Sequence, residues 1–230
     1  MSSERSTEVS GSERRPDVSR QTIADVDVTV VLLQRSHFAA AAAVLARAFE
    51  ASRLHRAVFG PSGLARSESN FLDRLHRSDG TRLGAFERDR LVGVAIWSTG
   101  GTWRAEGLPT RSALRLIASM TPAPAHVGDV DAEQAVHLGP IGVLPDRQRC
   151  GIGSRLMHRY CEALDANGQA GRLETESVEG VAFYRRFEFD ILRDGALCDG
   201  THYVMERPRL EGEPLTPARV LYATYPSDVT

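Results

Sequence analysis

The sequence predicts a mixed-sheet α/β domain, and three observations carry that expectation. β-Branched or alternating runs interleave with segments of helical period. Two such runs, TRLGAFER (81–88) and RLVGVAIWST (90–99), adjoin across Asp89 as an antiparallel hairpin, which a purely parallel βαβ sheet has no place for. No internal repeat breaks the chain into modules. The chain has 230 residues, 42% hydrophobic and 25% charged, enough to bury a sizeable core and far from disordered or collagen-like compositions.

The elements follow in order. VDVTVVLL (26–33) is a β-branched strand, and Ser36 stands where an N-cap precedes the alanine-rich helix SHFAAAAAVLARAFEAS. ARSESNFLDRLHRS reads as a second helix with Phe71, Leu72 and Leu75 at core-facing spacing, ending at Asp79-Gly80. After the hairpin, a loop with Gly100, Gly101 and Trp103 leads to a helix PTRSALRLIASM, with Pro109 at its start and Pro122 beyond its end. AVHLGPIGV is a strand and GIGSRLMHRYCEALDANG an amphipathic helix stopped by Asn167-Gly168. GRLETES is a short strand, VEGVAFYRRF a last helix, and FDILRD and HYVMER closing strands. Residues 1–26 and 208–230 lack periodicity and read as loose extensions flanking one domain, 27–207.

Composition excludes several chemistries. Lys+Arg 28 against Asp+Glu 30 leaves a formal charge of −2, which argues against a protein built to coat nucleic acid or an acidic membrane. Every basic residue is arginine, so a lysine Schiff base is ruled out. Cys150, Cys161 and Cys198 show no CxxC spacing, which disfavours disulfides and a zinc site. The polar N-terminus has no signal-like apolar core and no run is long enough to span a bilayer, so a cytoplasmic protein is expected.

The stretch that carries chemistry is HLGPIGVLPDRQRCGIGSRLMHRY (137–160). A strand ends near Val143, and the turn Gln148-Arg149-Cys150-Gly151-Ile152-Gly153 opens directly into a helix at Ser154. Successive N–H groups and the positive end of the helix dipole make such a junction an anion site. A dinucleotide fingerprint fails because Leu156 stands where its third glycine belongs, and a Walker loop needs a lysine. Taken alone, the GxG is a plain strand-to-helix turn.

The pattern strand–VxPxxQxxGxG–helix resembles the acetyl-CoA pyrophosphate loop of the GNAT superfamily of N-acetyltransferases. LETESVEGVAFYRRFEF is similar to a second signature of that family, through Leu173, Glu174, Thr175, Phe183, Tyr184 and Phe189. The resemblance spans residues 27 to 207, and looks closest to the bacterial branch that includes puromycin N-acetyltransferase, which shares a long segment between hairpin and pyrophosphate strand. It implies a mostly antiparallel sheet splayed at the cofactor strand and direct acetyl transfer from acetyl-CoA to a small-molecule amine. No nucleic-acid or membrane partner is implied, and homodimerisation is left open.

By the same resemblance Ile141, Gly142, Val143, Gln148, Arg149, Cys150, Gly151, Ile152, Gly153 and Ser154 would hold the cofactor, with charge from Arg149 and Arg147. Pro140 would mark the splay, its other reading being an edge or bulge. Tyr184 would protonate the departing thiolate, and either Glu174 or His137 would take the ammonium proton. Cys150 would lie against the pyrophosphate, which disfavours a covalent route through its thiol. The acceptor would meet the first helix, the loop Arg53 to Phe59 and the segment Trp97 to Met120. Trp97, Trp103 and Phe59 are open to lining its cleft, against ordinary core burial. Arg155, His158 and Arg159 read as a solvated face, and Arg185-Arg186 as water-facing.

Three departures from the family pattern stand out. Arg149-Cys150 replaces a Gly-cation pair, Gly180 replaces an asparagine, and Glu188 stands where glycine is usual and a positive φ would strain it. They suggest the alternative of a non-catalytic acyl-CoA-binding module.

Overall fold

In the computed structural model, residues 27–77, 80–99, 135–197 and 200–210 are described. Seven strands form one sheet: β1 (Val28–Leu32), β2 (Thr81–Glu87), β3 (Arg90–Thr99), β4 (Val136–Val143), β5 (Gly171–Thr175), β6 (Asp190–Leu197) and β7 (Gly200–Arg207), in the order β1-β2-β3-β4-β5-β7-β6. Neighbours are antiparallel except β4 and β5. Among the described residues five α-helices accompany it: α1 (Phe38–Phe49), α2 (Arg53–Phe59), α3 (Leu64–Arg77), α4 (Ile152–Asn167) and α5 (Val178–Arg185). The expected hairpin closes on Arg88 and Asp89, with Glu87 opposite Arg90.

Both faces of the sheet are covered. A Cβ on Gly142 would meet Ala48 and Leu45, so β4 runs directly beneath α1 on one face. A Cβ on Gly93 would meet Ile152 and Leu156, which places α4 on the other. Leu45, Leu75, Val92, Val94, Leu156, Met157, Leu173 and Met205 are fully buried between these layers, and Trp97 is buried core, its ring tilted against that of Tyr160, rather than cleft lining. Phe71 and Leu75 are buried and Leu72 partly so, as their spacing predicts. α4 ends at Gly168, left-handed at φ 58, as the Asn-Gly stop predicts.

Two expectations are corrected. Ser36 is not the N-cap of α1. It lies inside a 3₁₀ turn, Arg35–His37, whose capping box joins Gln34 and His37, with Gln34 N donating to His37 Nδ1 at 3.2 Å. The expected loop Arg53 to Phe59 is helix α2: Ser52 Oγ caps His55 N at 3.0 Å and Gly60, at φ 77, ends it. The expected helix 109–120, Trp103, Cys198, Asp79 and residues 1–26 and 211–230 lie outside the described residues. Among the described residues no helix is long and apolar enough to cross a membrane, and no cluster of His, Cys, Asp or Glu suits a metal ion.

Candidate active site

The loop between β4 and α4 is built on backbone geometry. Leu144 N donates to Val92 O at 2.9 Å and Gln148 Nε2 to Val143 O at 3.2 Å, which fixes the exit from the strand. Arg149 (φ 61) and Gly151 (φ 80) are both left-handed, so the glycine missing from the pattern falls where the backbone favours one. An arginine there costs about 1–2 kcal/mol. Intrahelical bonding starts with Arg155 N to Gly151 O at 3.0 Å, leaving the N–H groups of Ile152, Gly153 and Ser154 as first-turn donors without a partner among the described residues. Ile152 is buried and anchors the turn, whereas a Cβ on Gly151 would meet nothing within 4 Å. A concave backbone cradle with that opening fits a pyrophosphate.

Several charges near this loop are placed otherwise than expected. Arg147 is engaged by Glu87 Oε2 at 2.9 Å and by Asp146, so its charge is already matched. Arg155 is not purely solvated, because Nη1 donates to Val28 O at 3.1 Å and ties α4 to β1. Arg186 does not simply face water: it lies over the Phe183 and Phe187 rings and donates to Ser154 Oγ at 2.8 Å. The hydroxyl of Ser154 is thus held at the mouth of the cradle. Cys150 Sγ donates to Gln148 O at 3.5 Å.

The sheet opens beside this loop. β4 and β5 pair only through Val136↔Gly171 and His137↔Arg172, and beyond them the strands part. Across β3, Ala95 faces Ile141 and Trp97 faces Leu138, so Ile96 stands against both Gly139 and Pro140 in a bulge. Pro140 thus marks a bulge and the parting together, where its missing N–H leaves no gap in a ladder. Since Leu144 N points to β3, alternation aims the Ile141 and Val143 N–H groups into the opening.

A cavity of about 230 Å³ occupies the opening, walled by Phe49, Leu54, Val58, Phe59, Phe71 and Ile141. His137, Glu174, Glu176, Tyr184 and His202 supply its polar lining. His137 and Glu174 have opposite parity to the buried Val136, Leu138 and Leu173, so they point to the α1 face. Glu174 Oε1 lies 3.9 Å from His137 Nε2, and Oε2 is 3.1 Å from His202 Nε2. Burial pushes the Glu174 carboxyl up, but the hydrogen bond from His202 and the charges of His137, His202 and Arg193 outweigh it, leaving it below the usual range. Burial pulls His137 down, partly offset by Glu174. Tyr184 is pushed up to about 12 by burial and so keeps its phenolic proton at neutral pH.

Tyr184, Glu174 and His137 therefore meet in one cavity, and the Gln148–Ser154 loop lies apart from it at the start of α4. The residues missed in the sequence are His202 and Glu176; those of α2 were expected at the acceptor, but as a loop. His202 had a signal: it alternates with Val204 and Glu206 on β7, and β5 sets Glu174 opposite Val204 and Arg172 opposite Glu206. For α2 the signal was Ser52 and Gly60 bracketing a short stretch free of helix breakers. Glu176 closes the arrangement by accepting from Leu54 N at 3.1 Å, which docks α2 on the end of β5. His55 is buried, its Nε2 2.6 Å from Ser67 Oγ and its ring against Phe59.

The other two departures have local explanations. A Cβ on Gly180 would stand 2.2 Å from Thr175 Oγ1, so an asparagine does not fit this turn of α5. Glu188 does adopt a positive φ of 66, and its carboxylate accepts from Arg207 Nη2 at 3.0 Å, which helps to hold it there.

The sequence matches the model of the acetyltransferase (GNAT) family over residues 48–189. No curated protein sequence matches the chain. Among solved structures, one described as histone acetyltransferase HPA2 and related acetyltransferase from Corynebacterium glutamicum is similar with a TM-score of 0.61 and 20% identity, covering 81% of this chain and 98% of that one. The ribosomal-protein-S18-alanine N-acetyltransferase of Escherichia coli aligns with a TM-score of 0.52 at 18% identity, over 82% and 98% of the two chains. The protein yncA of Salmonella typhimurium, whose structure holds its cofactor acetyl-CoA, aligns with a TM-score of 0.51 at 15% identity, over 81% and 96%.

Proposed function

The chain belongs to the GNAT acetyltransferase family, and from that premise we propose that it moves the acetyl group of acetyl-CoA by direct transfer to a primary amine of a small molecule. The observation that carries this reading is the meeting of Tyr184, Glu174 and His137 in one cavity where β4 and β5 part. A purely acyl-CoA-binding module has no use for a proton donor and a proton acceptor facing the same opening.

The chain's own groups divide the work. The first-turn N–H groups of Ile152, Gly153 and Ser154, with the open space at Gly151, would hold the pyrophosphate, and the Ile141 and Val143 N–H groups would pair with the amide-bearing arm. Bound there, acetyl-CoA supplies an activated thioester. Either His137 or Glu174 draws the proton from the acceptor's ammonium and leaves a nucleophilic lone pair. Tyr184 Oη holds a proton for the departing sulfur. The apolar wall of Phe49, Val58, Phe59 and Phe71 favours an acceptor whose amine is carried on an apolar body, and it keeps water from competing.

Residues 100–134, the long insertion between β3 and β4, support placement in the branch that includes puromycin N-acetyltransferase. We place the activity in the cytoplasm, without nucleic-acid or membrane partners. The test is thiol release from acetyl-CoA across a library of small primary amines, with the N-acetylated product identified by mass spectrometry. Turnover of at least one amine is expected. Acetyl-CoA binding without turnover of any amine would favour the non-catalytic acyl-CoA-binding alternative.

A further inference from the structure

Glu174 is held from two sides by two different strands. His202 Nε2, on β7, lies at hydrogen-bond distance from Oε2, 3.1 Å, whereas His137 Nε2, on β4, is 3.9 Å from Oε1, too far for a hydrogen bond and within ion-pair range. All three side chains are mostly buried, with side-chain exposures of 18% for His137, 27% for Glu174 and 12% for His202. The asymmetry separates their roles. A carboxylate already bonded to one imidazole is a weak proton acceptor, while an imidazole without a short bond at Nε2 keeps that nitrogen available.

We propose that His202 is a positioning residue: its Nε2–H holds Glu174 Oε2 and so keeps Oε1 3.9 Å from His137, short of a hydrogen bond, and His137 Nε2 is the atom that receives the acceptor's ammonium proton. The proton leaves the ammonium nitrogen, which retains the electron pair, lodges on His137 Nε2 beside the Glu174 carboxylate, and passes on to solvent. This rests on the reading of the cavity as the place where an amine is deprotonated. Unperturbed imidazole, at roughly 6.5, is matched to that task better than a carboxylate at roughly 4.3. Other charged and titratable groups bear on the same spot: Arg172 and Glu176 from β5 and its end, Arg193 from β6, Tyr184 from α5, Arg74 from α3 and His55 from α2. The side-chain hydrogen bond that lowers the Glu174 carboxyl comes from His202, and Arg193 acts on it through charge.

The experiment is an NMR titration of the imidazole rings in the full chain, with His137 assigned by the signal lost in His137→Gln, and it needs no acceptor. Glu174→Gln should move the His137 titration to lower pH, since the anion that favours its charged form is gone. His202→Phe frees the carboxylate to turn to His137 and should move that titration to higher pH. His202→Gln, whose amide can still donate to Oε2, should leave it at the wild-type position. On an accepted amine, His202→Phe should lower kcat on the order of 10²-fold, the lower end of what positioned proton transfer contributes, and move the acid limb of kcat/KM to higher pH. His202→Gln should restore both. A His137 titration unmoved by His202→Phe, or equal losses in the Phe and Gln variants, would overturn the assignment. The predicted titration shifts without turnover of any amine would uphold the positioning of Glu174 and fault the acetyl-transfer reading.

Discussion

Tyr160 Oη donates to the main-chain oxygen of Val136 at 2.7 Å, a buried bond from the middle of α4 to the first residue of β4. Val136 N donates to Ala170 O at 2.9 Å, so this residue is pinned at the start of the two-residue stretch where β4 and β5 are paired, next to the point where they part. The ring of Tyr160 is itself packed between those of Trp97 and Phe189 and is fully buried. The splay that forms the cavity therefore has a fixed hinge line.

Tyr160→Phe keeps the packing and removes that bond. Losing one buried hydrogen bond, with the Val136 carbonyl still paired in the β4–β5 ladder, should cost about 0.5–1.5 kcal/mol. The expected result is a lower denaturation midpoint in urea with an unchanged m-value, and a raised KM for the acceptor as the opening loosens. Equilibrium unfolding and steady-state kinetics measure both.

Gly151 and Gly168 form a natural control pair at the two ends of α4. Both are left-handed, at φ 80 and φ 58, and a Cβ on either would meet nothing within 4 Å. Valine at either position should therefore carry a similar backbone strain, about 1–3 kcal/mol. Only Gly151→Val should also abolish the rise in Tm that acetyl-CoA produces, because its side chain would project into the cradle. Thermal shift with and without acetyl-CoA separates the two effects. A Gly151→Val protein stabilised by acetyl-CoA as well as wild type would move the pyrophosphate site elsewhere.

The order of strands and helices was legible because each element carries its own period and its own stops, as Asn167-Gly168 and the Arg88-Asp89 turn show. The turn proposed to hold the cofactor was legible as a strand-to-helix junction for a similar reason: its left-handed backbone at Arg149 and Gly151 is what a short local pattern encodes. What was not legible depends on the third dimension. His202 is 28 residues from Glu174 and joins it only through the β5–β7 register, and that register is set by the closing hairpin as a whole. Gly180 stands in place of the family's asparagine because Thr175 Oγ1 fills the space a Cβ would need, a contact that no local pattern encodes. Ser36 was a sound capping residue, displaced because Gln34 and His37 satisfy each other first. α2 was missed because a seven-residue helix has too few turns to show a period, although its caps were in view.

Acid should weaken the fold before it protonates the carboxylates. Burial lowers the folded-state pKa of both His55 and His137 below the ordinary imidazole value, and Glu174 is held below the ordinary carboxylate value despite its burial. In each case the unfolded chain binds more protons, so stability rises with pH across the window between the folded and unfolded values. For the histidines that window lies below roughly 6.5, and for Glu174 below roughly 4.3. Urea midpoints should fall as pH drops from 7 to 5, and fall less in His137→Gln, which removes one of the two imidazoles that burial holds below the ordinary value. An equal fall in that variant would assign the acid sensitivity to His55 and other groups.

Tyr184→Phe tests the donor directly. The ring of Tyr184 packs edge-on against Phe183 and Phe189, contacts that phenylalanine preserves, and its hydroxyl has no hydrogen bond among the described residues. Removing the oxygen should therefore leave the fold's stability nearly unchanged while deleting the only phenolic proton that lines the cavity among the described residues. If that proton goes to the departing sulfur, kcat should fall by roughly 10²- to 10⁴-fold with acetyl-CoA affinity little changed. Because burial raises the group to about 12, the wild-type rate should show no loss from Tyr184 ionisation up to about pH 10, where an ordinary tyrosine would be half deprotonated. Steady-state kinetics across pH, with acetyl-CoA binding by calorimetry as the control, measures both. A Phe variant with wild-type kcat, under conditions where chemistry limits the rate, would remove Tyr184 as the acid and leave water to protonate the sulfur.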